Sequence, residues 1–482
     1  MNQKFISAFF LFFSFSFFLA AQQQSGFHIE VQIDNWTGEQ LYLGYRRGEK
    51  VYSRDTVPFA EGKAVFEGSE PLAPGIYLVL MPPDNKFFEF LVTKNEQHFA
   101  MKTAAPDFGG NLTFENAPEN TLLKEYQLFM AKQVARSKEL QQSIEAAPSP
   151  ESKAMFQKQL EAVSEEVHAR QRELMEQHPG TFAAKLVAAF KEPAFPPTPP
   201  GQEEPLFRWQ YYKKHYFDGF DFTEEAFANS PYLKEKIDYY LSDKMTVQVP
   251  DSVIQAVDVV LEKAQANEEV FKFVLPYLLN EYYTPKIMGL DAVFVHIAEK
   301  YYATGKATWI SEDAKKKILD DAYMNKFVLI GNRAPNITVQ QYDPETKSFP
   351  PDKMISLYDV DAEYTVIFLW KPGCGHCKHT TDELKPFYEE WHPKGVEIFS
   401  ITSANHMELD KAISDVEYKK MPWIVTADPY MKARALIKFY GTTLPKLYIL
   451  DRNKNIIASR VAVPQLGRII EDHQRMSKEE NR

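Results

Sequence analysis

Tyr364-Thr-Val-Ile-Phe-Leu-Trp370 runs directly into Lys371-Pro-Gly-Cys374-Gly-His376-Cys377-Lys378, and a stretch with helical spacing follows to about Trp391. The first segment is an almost unbroken apolar run, which is the pattern of a strand buried on both faces of a sheet. A Cys-x-x-Cys at a strand-to-helix turn puts its first sulfur at a helix N-terminus, where unpaired N–H groups and the helix dipole favour an anion. Cys374 is therefore expected to have a lowered pKa and to be the nucleophile, with Cys377, one turn on, as the resolving thiol. In the chemistry this implies, the Cys374 thiolate attacks one sulfur of a substrate disulfide and the other sulfur leaves as a thiolate. Cys377 then attacks the mixed disulfide, releasing the reduced substrate and leaving a Cys374–Cys377 disulfide; the same steps reversed oxidise a dithiol. His376 is expected to tune the thiolate, by donating a hydrogen bond or, when protonated, by its charge, which makes the couple more oxidising.

Two other readings of the motif stay beside this one. A purely structural disulfide closing so short a loop restrains little of the unfolded chain. A metal site built from Cys374, His376, Cys377 and His379 asks four near-consecutive residues entering a helix to converge on one tetrahedral centre. Redox exchange is favoured over both, and no cofactor beyond the Cys374–Cys377 disulfide is expected.

Outward from the motif, the chain has 482 residues, 44% hydrophobic and 25% charged, which is ordinary for a globular protein and, at roughly 150 residues per domain, long enough for about three. Its 55 basic against 66 acidic side chains give a net charge of −11, the wrong sign for a protein that neutralises phosphates, so nucleic acid is not an expected partner. The two cysteines are the only ones, which excludes a disulfide-stapled scaffold and a four-cysteine zinc site. Near the start, Lys4 precedes an uncharged run from Phe5 to Ala21 that ends in small residues and is followed by Gln22-Gln-Gln-Ser25. This reads as a signal peptide over residues 1–21 rather than a membrane anchor, being shorter than the roughly 20 residues a spanning helix needs. Gln22 stands where a lipoprotein would have cysteine. The mature protein is thus expected to be exported and soluble, with no stable membrane span, in an oxidising compartment where a lone close pair of cysteines suits exchange chemistry.

From Phe27 to about Ala117 short alternating stretches recur between Gly, Pro and Asn turns: His28–Ile33, Leu41–Tyr45, Ala64–Glu67, Ile76–Leu80 and Phe87–Val92. That spacing predicts an all-β sandwich over residues 22–117. Residues 118–329 change to helical patterning. Asn120 to Ala146 and Pro150 to His178 form an expected antiparallel hairpin, then a Pro-rich connection spans 193–205, and further helices are rich in aromatic pairs such as Tyr282-Tyr283 and Tyr301-Tyr302. An aromatic stripe at helical spacing is core before it is a binding site. In the alternative class of function, the β module and these aromatics hold a polypeptide or cell-surface partner and the redox region is auxiliary.

From residue 330 to 482 strands and helices alternate, and here the chain resembles exported bacterial thioredoxin-like proteins of the TlpA and ResA type. The matching pieces are Gly331-Asn-Arg-Ala-Pro335, Phe368-Leu-Trp-Lys-Pro-Gly-Cys374-Gly-His-Cys377 and Tyr440-Gly-Thr-Thr-Leu444-Pro445-Lys-Leu-Tyr-Ile-Leu-Asp451. The resemblance implies a C-terminal α/β thioredoxin-like domain, a periplasmic thiol–disulfide oxidoreductase activity, and partners that are exported protein thiols or disulfides plus an electron donor or acceptor. It also implies that Pro445 is cis and lies against the cysteines, that the Leu444 backbone pairs with the substrate chain, and that Trp370 lines the site. The departures are specific. Thioredoxin's buried Asp, six residues before the first cysteine, is replaced by Phe368; the Glu of ResA-type reductases, three residues after the second, by Thr380; and the Thr common before the cis proline by Leu444. Cys-Gly-His-Cys is also the motif of protein disulfide isomerase, so reduction and isomerisation both stay open.

Overall fold

A computed structural model describes residues 26–480, so the expected signal peptide lies outside the described residues. Two compact units divide the chain, one ending at Lys191 and the other beginning at Glu192.

The first unit starts with β1 (Phe27–Asp34), β2 (Gln40–Arg47), β3 (Lys50–Pro58), β4 (Lys63–Gly68), β5 (Gly75–Met81), β6 (Lys86–Val92), β7 (His98–Ala104) and β8 (Thr113–Glu115). They form two four-stranded sheets, ordered β4-β1-β7-β8 and β3-β2-β5-β6. Alternate residues face inward. Ile29, Val31, Phe66, Phe99 and Met101 of one sheet share a core with Leu41, Leu43, Val79, Phe88 and Phe90 of the other, which is the expected sandwich. Strand β3 escapes sequence reading because its residues from Lys50 to Arg54 are all exposed and only Asp55 and Val57 turn partly inward. Two 28-residue helices follow, α1 (Pro118–Glu145) and α2 (Pro150–Gln177), then α3 (Phe182–Phe190). The side chain of Asn120 in α1 accepts from Leu91 N and donates to Leu91 O, at 2.7 and 2.8 Å, so a buried amide fastens the helix to β6. Gln133 and Arg136 of α1 reach Glu166 of α2 at 3.1 and 3.0 Å, tying the hairpin together.

The second unit opens with the proline-rich connection, which is neither helix nor strand as far as Glu203, as its missing N–H groups dictate, and whose last two residues already begin a helix. Phe195 in it packs against Tyr211, and Arg208 lies over its ring at 4.4 Å. Helices α4 (Glu204–His215), α5 (Tyr232–Leu241), α6 (Pro250–Ala264), α7 (Glu268–Tyr283), α8 (Asp291–Ile297) and α9 (Glu312–Lys326) follow, with a π-helical turn at Ala298–Tyr302. Tyr301 and Tyr302 are both buried, whereas Tyr240 and Tyr282 are buried beside the exposed Tyr239 and Tyr283, so one of these three pairs is wholly core and the other two are half so. No described helix is long and apolar enough to cross a membrane.

The rest of the unit is β9 (Thr338–Gln341), β10 (Met354–Ser356), β11 (Tyr364–Trp370), α10 (Gly375–Trp391), β12 (Val396–Thr402), α11 (Leu409–Lys419), β13 (Ile424–Ala427), α12 (Ala435–Lys438), β14 (Lys446–Leu450), β15 (Ile456–Ser459) and α13 (Val463–Glu480). One sheet runs β10-β9-β13-β12-β11-β14-β15. Strands β11, β12 and β13 are parallel, and β14 is antiparallel to β11. Every residue of β11 is buried, as its apolar run requires. Val366, Phe368 and Trp370 face one core with Leu384, Tyr388 and Leu466 from the helices, while Ile367 and Leu369 face the other with Phe399, Phe439 and Tyr448. The site therefore sits at the end of a strand pinned from both sides.

Candidate active site

Strand β11 ends at Trp370, and a turn closed by the Cys374 N–H to Lys371 O at 3.3 Å carries the chain to α10. Gly373 in that turn has φ +71°, a conformation that glycine adopts without strain. Cys374 is the N-cap of α10. Its Sγ accepts from the Cys377 N–H at 3.4 Å, filling the place an Asp or Ser side chain takes at other helix starts. Cys374 is partly buried and Cys377 almost wholly so, and both sulfurs are free thiols.

Their environments push the two pKa values apart. The Cys377 side chain hydrogen-bonds the Cys374 sulfur, the backbone N–H groups of Cys377 and His376 add to this, and Lys371 contributes its charge, so the Cys374 thiol is held below the usual cysteine range. Burial, and then the neighbouring Cys374 sulfur, push the Cys377 thiol up to about 12. Its sulfur does receive the Lys371 N–H at 3.4 Å. The arrangement thus favours ionisation of the sulfur at the helix N-terminus and resists ionisation of the one beneath it. Iodoacetamide at pH 7 is expected to modify Cys374 and spare Cys377, and the pH profile of the reaction should have its midpoint below the ordinary thiol value. Mass spectrometry of the fully reduced protein checks this, and equal labelling of both cysteines would refute the asymmetry.

His376 lies exposed; its backbone N–H, rather than its ring, meets the Cys374 sulfur. Leu444–Pro445 is a cis peptide bond. Leu369 of β11 pairs with Lys446, so the cis proline stands beside the end of β11, and Leu444 packs against the core cluster that holds both cysteines. Trp370 is buried, with its indole N–H unpartnered, and Trp423 packs edge-on against Tyr388. Phe368 is fully buried, and Thr380 is half-exposed and bonds back to His376 O.

Residues 330–459 match the model of the AhpC/TSA family. The C-terminal region is an AhpC/TSA domain of thioredoxin-like fold. Residues 27–123 and 152–325 match two families described as domains of unknown function, DUF4369 and DUF5106. With two such regions ahead of its AhpC/TSA domain, the chain has the multidomain form expected from its layout. The chain is similar in structure to a thioredoxin-like protein from Bacteroides caccae, at 19% identity and a TM-score of 0.45, over 59% of this chain and 99% of that one. It is also similar to a domain of a "possible thiol-disulfide isomerase" from Cytophaga hutchinsonii, at 26% identity and a TM-score of 0.28, over 31% and 97% of the two chains. A third similarity is to the thioredoxin domain of a thiol-disulfide oxidoreductase from Bacteroides vulgatus, at 21% identity and a TM-score of 0.26, over 30% and 96%. No curated protein matches the chain. The AhpC/TSA domain with its paired thiols makes this chain a thioredoxin-like oxidoreductase.

Around the AhpC/TSA dithiol stand residues that sequence reasoning passed over. Lys371 contributes both an N–H to Cys377 and a charge to Cys374. Asp415 of α11 accepts from the Gly373 N–H at 2.7 Å and pairs with Lys378 at 3.0 Å. A signal for Asp415 was present: it lies beside Val416 and one turn from Ala412, both buried, a charge on the apolar side of an amphipathic helix.

Proposed function

We propose that the protein is an exported, periplasmic oxidoreductase that reduces or isomerises disulfides in other exported proteins through the Cys374-Gly-His-Cys377 dithiol. Cys374 attacks, Cys377 resolves, and His376 tunes the thiolate through its backbone N–H. The cis Pro445 and the Leu444 backbone form the surface on which the substrate chain lies, Trp370 being a buried core residue rather than part of that surface, and an electron donor or acceptor renews the dithiol. The observation that carries this reading is the split between the two sulfurs, an accessible thiol whose ionisation is favoured over a buried one whose ionisation is resisted. A structural disulfide has no use for such a split, whereas stepwise exchange needs it at each stage.

The test is the reduction potential of the pair, measured by equilibration with glutathione. A value near or below about −230 mV places the protein with thioredoxin-like reductants and implies a dedicated electron donor, and one between about −180 and −120 mV places it with isomerases and oxidants. A pair that fails to exchange with glutathione would overturn the proposal.

A further inference from the structure

Asp415 touches both ends of the redox motif. Its Oδ2 accepts from the N–H of Gly373, the residue before Cys374, at 2.7 Å. Its Oδ1 pairs at 3.0 Å with the Nζ of Lys378, the residue after Cys377. The carboxylate is only 12% exposed and comes from α11, whose Ala412 and Val416 are seated in the same core as Cys377. A side chain held this way in a rigid helix is a fixed strut, and a charge so screened from water acts on its neighbours at short range.

We propose that Asp415 is a positioning residue of the dithiol. It staples the two ends of the Cys-Gly-His-Cys segment and, balanced against Lys378, sets the equilibrium between dithiol and disulfide. This rests on the pair being redox-active. The charges around the segment are Lys371 in the preceding turn, His376, Lys378 and His379 on α10, and Asp415 and Lys419 on α11. Lys419 is paired with Asp382, and His379 faces Glu383 at 3.5 Å. Asp415 and Lys378 thus form the opposed pair that brackets the cysteines. The carboxylate disfavours a Cys374 thiolate and the ammonium favours it, and because the reduced form is the one that carries the thiolate, each charge shifts the redox equilibrium in the opposite sense.

The experiment is glutathione equilibration of the full chain as wild type, Asp415→Asn, Lys378→Met and the double variant. Asn at 415 keeps an acceptor for the Gly373 N–H and loses only the charge. Asp415→Asn is expected to shift the equilibrium constant toward the dithiol by roughly three- to tenfold, about 15 to 30 mV more oxidising. Lys378→Met is expected to shift it toward the disulfide, and the double variant to return near wild type. Lys378 is 40% exposed, so its replacement keeps the test alive if the Asp415 variant fails to fold. Single variants that move the constant in the same direction, or leave it unchanged while the wild type exchanges normally, would overturn the role of Asp415. A wild type that does not exchange overturns the redox reading and this proposal with it.

Discussion

Replacing Cys377 by Ala is expected to turn the protein into a covalent trap for its substrates. The attacking sulfur loses the hydrogen bond from the Cys377 side chain, the largest influence that lowers its pKa, but keeps the backbone N–H groups of positions 376 and 377 and the charge of Lys371. The first step, attack of Cys374 on a substrate disulfide, therefore proceeds, while the second has no sulfur to carry it out. Mixed disulfides accumulate through Cys374, and catalytic turnover falls to the uncatalysed background. Non-reducing gels should show new high-mass species that dithiothreitol removes, and mass spectrometry should place the link at Cys374. The converse variant, Cys374→Ala, should trap nothing, because the remaining thiol is buried, and burial, the largest influence that raises its pKa, stays in place. If Cys377→Ala yields no trapped species, catalysis by exchange is not the main role, and binding of a partner through the upstream regions takes its place. Partner capture that survives replacement of both cysteines by Ser would say the same.

The two cysteines were legible because their chemistry is compressed into four residues, and the strand before them because a fully apolar run has few other uses. Periodicity also located the long helices, since α1 and α2 are bounded by prolines at Pro118 and Pro150. Short or polar strands were harder to see. Strand β3 turns only Asp55 and Val57 partly inward, and β9 and β13 span four residues each, too few for a period of two to stand out. The partners of the dithiol were hidden for a different reason. Asp415 lies 42 positions from Gly373, and no local spacing encodes a contact made only when α11 packs beside α10. For His376 the spacing put the residue between the sulfurs, but only the folded turn shows that its N–H faces Cys374. The ion pair between Asp291 of α8 and Arg460 beyond β15 was equally invisible, because the two charges lie on elements that read as separate regions.

Those charges supply a second large effect: Arg460→Met is expected to destabilise the protein by about 2 to 3 kcal/mol at pH 7, by leaving a buried carboxylate short of its counter-ion. Asp291 at the start of α8 is 3% exposed and meets Arg460, just beyond β15, at 3.6 Å. Arg460 also donates to Tyr283 O at 3.2 Å, and its N–H bonds to Leu447 O in β14, two residues after Pro445. Burial raises the pKa of Asp291, while Arg460 and Lys446 pull it down. A carboxyl whose folded pKa lies above its unfolded value costs stability at pH values above the ordinary Asp range, and that cost is relieved as the pH falls through the folded pKa. Removing Arg460 takes away the larger of the two opposing charges, so the folded pKa rises further and the penalty at neutral pH grows. Denaturant unfolding at pH 7 and pH 5 should therefore show the deficit of Arg460→Met relative to wild type narrowing in acid. Adding Asp291→Asn to Arg460→Met should recover most of the loss, since the uncompensated charge is then gone, whereas Asp291→Asn alone should cost less because Arg460, 26% exposed, can turn its guanidinium toward water. A deficit that is the same at both pH values and is not repaired by the second substitution would show that Arg460 contributes packing and its bond to Tyr283 rather than charge. With the charge account upheld, a pair formed between α8 and the chain beyond β15 ties the helices of this unit to the edge of its sheet.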